Sequence, residues 1–91
     1  DVYALGATLF ECLTLRRPFQ GATRDALYHA ILHAAPPSLR KLVPHVPRDL
    51  EVIVQTALEK DPTRRYRSAL ELAEDLARLR RGEPIRARRV G

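Results

Sequence analysis

The chain has no methionine and no tryptophan, and only one cysteine and two phenylalanines among its 91 residues. With Cys12 alone there can be no internal disulfide, and its place in an apolar segment reads as a small buried hydrophobe. No run approaches the ~18 consecutive apolar residues that a membrane helix needs. Residues 1–15 lack a basic leader and an A-x-A site, so they do not read as a secretory signal. No segment alternates apolar and polar residues in the way of a strand, and no internal repeat is present.

An acidic excess is also missing: the formal net charge is +5. That excess is not spread over the molecule. Residues 1–77 balance their acids and bases, while residues 78–91 carry Arg78, Arg80, Arg81, Arg86, Arg88 and Arg89 against Glu83 alone. A neutral body with a basic end argues against a nucleic-acid-binding body.

What is present is helical. The opening segment, Asp1 to Leu13, is interrupted by polar residues only at Asp1, Thr8 and Glu11. A helix with almost no polar side belongs at the centre of a larger protein. With no initiator Met, the expectation is a fragment whose surrounding layers are partly missing. Arg16-Arg17-Pro18-Phe19-Gln20-Gly21 ends this first helix of residues 1–15. A second is expected from Arg24 to His33, with Thr23 as N-cap and a narrow stripe of Leu27, Ile31 and Ala34. Pro36-Pro37 stop it, and one helical turn is expected at Leu39–Val43. The third, Arg48 to Glu59, repeats Leu50, Ile53, Val54, Ala57 and Leu58 at helical spacing. The fourth starts at Ser68 with Glu71 three residues on, a capping box, buries Ala69, Leu72, Leu76 and Leu79, and stops at Gly82-Glu83-Pro84. The expected fold class is all-α, a four-helix body over residues 1–81 with an extended basic tail over residues 82–91.

The order of these pieces resembles the C-terminal part of the large lobe of a eukaryotic-type (bacterial) serine/threonine protein kinase domain. Asp1-Val2-Tyr3-Ala4-Leu5-Gly6 is similar to the D-x-x-x-x-G that opens that lobe's central helix. Glu11, Leu13 and Arg17-Pro18-Phe19 resemble the E-x-L…x-P-F segment that follows. Leu58-Glu59-Lys60-Asp61-Pro62-Thr63-Arg64-Arg65-Tyr66 resembles the L-x-x-D-P-x-x-R-[YF] signature near the lobe's end. The resemblance implies a parent that uses Mg-ATP to phosphorylate Ser/Thr hydroxyls. The sequence holds no G-x-G-x-x-G, V-A-I-K, H-R-D or D-F-G, on which phosphoryl transfer relies. Accordingly no catalytic, cofactor-binding or metal residue is expected here, the chain alone is expected to be inactive, and ATP and Mg are expected only in the parent.

The resemblance also implies roles for particular residues. Asp1, in itself an ordinary N-cap, would accept amide hydrogen bonds from the catalytic loop. Arg65 would pair with the Glu of an A-P-E motif, a task suited to a planar guanidinium; lacking that acid, it is expected to turn to solvent. Phe19, Leu27, Tyr28 and Ile31 fall where the family meets protein substrates and regulators, and are the expected docking residues. Expected partners are therefore the remainder of the kinase domain and such proteins. The tail reads in three ways: a solvated linker, a juxtamembrane segment drawn to an anionic membrane surface before a span beyond residue 91, or, least, a nucleic-acid contact. A cytoplasmic location is implied. A non-catalytic helical interaction module, from a pseudokinase or an adaptor, is the alternative function. His29 and His33 stand four apart, yet Ala30 occupies the position where a zinc protease motif needs Glu, and Tyr66 reads as a packing residue.

Overall fold

The computed structural model describes residues 1–87. Those residues form five helices and no strand: α1 (Val2–Thr14), α2 (Arg24–His33), α3 (Leu39–Leu42), α4 (Arg48–Ala57) and α5 (Ala69–Arg80). The four long helices lie where periodicity and capping residues place them, and the expected turn after Pro37 is α3.

Local chemistry explains the ends. Asp1 Oδ1 accepts from the Tyr3 amide at 2.8 Å, and Thr23 Oγ1 from the Ala26 amide at 3.1 Å. Each satisfies a donor that a helix start leaves unpaired. At α5, Ser68 Oγ accepts from the Glu71 amide at 3.2 Å, while Glu71 Oε1 accepts from the Arg67 amide at 2.8 Å. The reciprocal half of the capping box is thus displaced by one residue. α5 closes in a Schellman turn: the Glu83 amide donates to the Arg78 carbonyl, the Gly82 amide donates to the Leu79 carbonyl, and Gly82 adopts φ 71°. That left-handed conformation suits glycine. α1 ends less comfortably, on Leu15 at φ 60° and 90% exposed, a strained backbone carrying an unburied apolar side chain.

α4 is the most enclosed element. It buries Val52, Ile53, Val54 and Ala57 and packs against α1, α3 and α5. On one side of it Phe10, Leu39, Val46, Val54 and Leu58 form a core; on the other, Val2, Ile53, Ala57 and Leu72 form a second, against which Tyr66 and Ile85 lean. α1 and α4 meet at Gly6, where an added Cβ would lie 2.7 Å from Ala57 Cβ. Glu51 fastens α3 to α4, because its Oε2 accepts from Ser38 Oγ at 2.8 Å and from the Arg40 amide at 3.0 Å.

Three expectations need correction. Cys12 is exposed, not buried, because it shares the outward face of α1 with Ala4, Leu5, Thr8, Glu11 and Leu15, which no described element covers. Ala69 is exposed, and its place on the buried face of α5 is taken by Asp75, with no accessible surface at all. Gly82 to Ala87 are irregular, as the helix stop requires, but they lie against the bundle instead of leaving it. Arg88 and Arg89, on which the juxtamembrane reading also draws, lie outside the described residues. No helix among the described residues is long and apolar enough to cross a membrane.

Candidate functional site

Two constellations stand out, joined through consecutive residues of the loop between α4 and α5. The first is a cavity of about 350 Å³ lined by Asp1 and Tyr3 from the start of α1, Ile31 and Leu32 from α2, and Lys60 and Arg65 from the loop. Apart from the Asp1 carboxylate, whose Oδ1 is engaged by the Tyr3 amide, its polar side chains are donors. Among the described residues, the buried Tyr3 hydroxyl and the buried Lys60 ammonium have no hydrogen-bond partner. The ammonium sits 4.1 Å from the centre of the Phe19 ring, whose negative face gives it partial compensation. Burial lowers the Lys60 pKa, with Glu59 opposing the shift, and raises that of the Tyr3 phenol, against which the Arg65 charge acts.

Arg65 does not turn to solvent as expected. It is half-buried, and its Nη1 donates to the Glu59 carbonyl at 3.1 Å. Among the described residues no carboxylate lies within ion-pair distance of it. Its neighbour Asp61 is engaged locally: the Thr63 amide and hydroxyl both donate to Asp61 Oδ1, at 2.9 and 2.8 Å. These bonds hold the Asp61 carboxyl below its usual range. The D-P turn is therefore self-contained, and the following Arg65 reaches back to the Glu59 carbonyl just beyond the end of α4. Guanidinium, ammonium and phenol around one cavity form a receptor for an acceptor-rich, anionic group.

The second constellation centres on Asp75. Its carboxylate accepts four hydrogen bonds: Oδ1 from the Arg86 amide at 2.7 Å and Arg78 Nη1 at 2.9 Å, Oδ2 from the Tyr66 hydroxyl at 2.7 Å and the Ala87 amide at 2.9 Å. Burial alone would raise this carboxyl's pKa. The bonds from the Arg86 amide, Tyr66, the Ala87 amide and Arg78 outweigh it, so the acid stays below its usual range. Burial and the bond to Asp75 push the Tyr66 phenol far up. The one signal that could have revealed Asp75 is its register: it lies three residues after Leu72 and four before Leu79, squarely on the apolar face.

The expected docking residues separate. Leu27 and Ile31 are half-buried and Tyr28 is 57% exposed, on one helix. Phe19 is 7% exposed beneath Lys60, because the chain turns inward after Pro18. The structure instead adds Leu32, 65% exposed, to the α2 surface. The His29 and His33 rings lie 4.7 Å apart on α2, and among the described residues no three candidate metal ligands cluster.

No family model matches the chain. Among curated proteins it is 41% identical over 76 residues to serine/threonine-protein kinase PrkC of Bacillus subtilis, covering 84% of the chain and 12% of that protein. It is 40% identical over 92 residues to serine/threonine-protein kinase PknB of Mycobacterium tuberculosis, covering 99% of the chain and 14% of that protein. It is also 45% identical over 76 residues to hybrid signal transduction histidine kinase G of Dictyostelium discoideum, covering 84% of the chain and 2% of that protein. The chain thus spans a small part of the relatives it matches. Over most of its own length it matches a C-terminal piece of a bacterial serine/threonine kinase domain.

Proposed function

We propose that this chain is the non-catalytic base of a serine/threonine kinase's large lobe, on which the parent's catalytic segments rest. The observation that carries the reading is the donor-lined cavity: Tyr3, Lys60 and Arg65 converge on it with few acceptors of their own. A carboxylate from the end of the activation segment would complete Arg65, and amides of the catalytic loop would reach Asp1. A buried guanidinium left unpaired is strongly unfavourable, so each side of such a contact stabilises the other. ATP and magnesium are assigned to other segments of the parent, since phosphoryl transfer draws on motifs whose sequences do not occur in these residues. The parent would transfer the γ-phosphoryl group to Ser/Thr hydroxyls; this chain would supply position, not chemistry.

A second role is favoured by α2, which among the described residues packs against no other helix and exposes Tyr28 and Leu32. Leu27, Tyr28, Ile31 and Leu32 would form a docking face for protein substrates or regulators, with Phe19 supporting the loop from beneath.

A chimera tests the first reading. This chain is grafted in place of the matching piece of the B. subtilis kinase, and Mg-ATP-dependent phosphorylation of a Ser/Thr protein substrate is measured. The chimera is expected to be active and the isolated chain inactive. Arg65→Met in the chimera should lose most of that activity, because it strands the opposing carboxylate. An Arg65→Met chimera as active and as heat-resistant as its parent would overturn the proposal.

A further inference from the structure

We propose that residues Gly82 to Ala87 form a strap whose attachment to Asp75 is coupled to the loop that carries Arg65. The strap is fixed at two kinds of point. Ile85 is half-buried against the core built by Val2, Ile53, Ala57 and Leu72. One and two residues on, the Arg86 and Ala87 amides donate to opposite oxygens of Asp75. Backbone donors make this attachment independent of the Arg86 side chain, which is exposed.

The coupling arises because Asp75 is shared. Oδ2 takes both the Ala87 amide and the Tyr66 hydroxyl, and Tyr66 is the residue directly after Arg65. Oδ1 takes both the Arg86 amide and Arg78. A carboxylate without accessible surface cannot exchange a lost donor for bulk water while the packing around it holds, so loss of the strap leaves its remaining donors to compete for an altered geometry. Strap, α5 and the Arg65 loop thus meet at one group. Between them runs a groove of about 490 Å³ bordered by Arg64, Arg65, Tyr66, Arg78 and Arg86. The strap forms one wall of it and the loop another. Displacing the chain beyond Ala87 would be felt at Tyr66, and occupation of the Arg65 cavity would be felt at the strap, since such coupling is reciprocal.

The functional weight of this device rests on the reading of Arg65 given above. The coupling itself is measured in this chain without any kinase partner, so either can fail alone.

The test perturbs each side and reads the other by NMR of the full chain. Tyr66→Phe deletes the loop's bond to Asp75 and touches no strap residue. Amide hydrogen exchange at Arg86 and Ala87 should accelerate by about tenfold relative to amides in the interior of α4, which report global opening. Ala87→Pro deletes one strap donor, and should shift the Tyr66 ring resonances and the Arg65 guanidinium resonances. Arg81→Ala, which breaks only the exposed pair with Glu83, should leave both readouts unchanged. Asp75→Asn, which weakens one set of these bonds and leaves the other donor facing an amide nitrogen, should accelerate exchange at Arg86 and Ala87 at least as much as Tyr66→Phe does. Normalised exchange at Arg86 and Ala87 within twofold of wild type in Tyr66→Phe, or unmoved Tyr66 and Arg65 resonances in Ala87→Pro, would overturn the coupling. A Tyr66→Phe chain too unstable for exchange leaves the Ala87→Pro spectra to decide.

Discussion

At the scale of single residues, the contrast between Asp75 and Arg65 is between a charge the fold completes and one it leaves incomplete. Asp75 has no accessible surface and four donors; Arg65 is half-buried with one carbonyl acceptor. The folded state holds the Asp75 carboxyl below its unfolded value of about 3.9. Its contribution to stability is therefore present above that unfolded value and is lost as the pH falls through the folded one. Asp75→Asn should cost about 2–3 kcal/mol at neutral pH, from weakened charge-assisted bonds and donors left facing an amide. In urea denaturation the gap between wild type and Asp75→Asn should narrow between pH 5 and strongly acidic pH. The difference between the two proteins isolates this acid from the other carboxylates of the chain. A gap that stays constant with pH would mean that the carboxylate is not ionised in the folded chain. Register alone marks Asp75 as facing the core, but the sequence does not show what satisfies it, because three of its donors lie 9, 11 and 12 residues away and only Arg78 is near. N-caps such as Asp1, Thr23 and Ser68 are legible for the opposite reason: donor and acceptor lie within three residues.

At the scale of elements, periodicity identifies which helices bury a face, but not how closely two of them approach. Leu50, Ile53, Val54, Ala57 and Leu58 announce α4 as a core helix, and the structure encloses it on two sides. The contact that sets the α1–α4 distance is made by Gly6, which carries no side chain to be read as apolar or polar. An alanine there would gain about 1 kcal/mol of helix propensity. It would also drive a Cβ to 2.7 Å from Ala57 Cβ and 3.3 Å from the Ala57 carbonyl carbon, an overlap that overpacking studies place at about 1–3 kcal/mol. Backbone and a buried methyl cannot swing aside as a long side chain would, so crowding wins. Gly6→Ala should lower stability by about 1 kcal/mol, and Gly6→Ala with Ala57→Gly should recover part of the contact while adding the cost of glycine in α4. A thermal-melting double-mutant cycle reads the coupling; a purely additive cycle would show that the helices separate freely at this point.

At the scale of the whole molecule, stability is unevenly distributed, and the uneven part is the part proposed to meet partners. α1, α4 and α5 pack on one another, and α3 is held to α4 by Glu51. Among the described residues α2 buries no side chain fully and packs on no other helix, although its N-cap is complete. Ten residues of helix in water are marginal without tertiary support. The amphipathic stripe of Leu27 and Ile31 is readable in the sequence, but a stripe does not reveal whether anything in the same chain covers it. Here Tyr28 and Leu32 remain largely bare. Amide exchange should therefore divide the molecule: α2 amides from Tyr28 to His33 opening by local fluctuation, and α4 amides from Val52 to Ala57 only with the core. The expected difference is on the order of a hundredfold or more in protection, equivalent to about 3 kcal/mol. A ligand that docks on Leu27, Tyr28, Ile31 and Leu32 would have to order this helix as it binds, so docking should raise α2 protection selectively. Equal protection in α2 and α4 of the unbound chain would instead make the chain one cooperative unit. α2 would then be a finished part of the fold, and its exposed apolar side chains would no longer argue for a docking face.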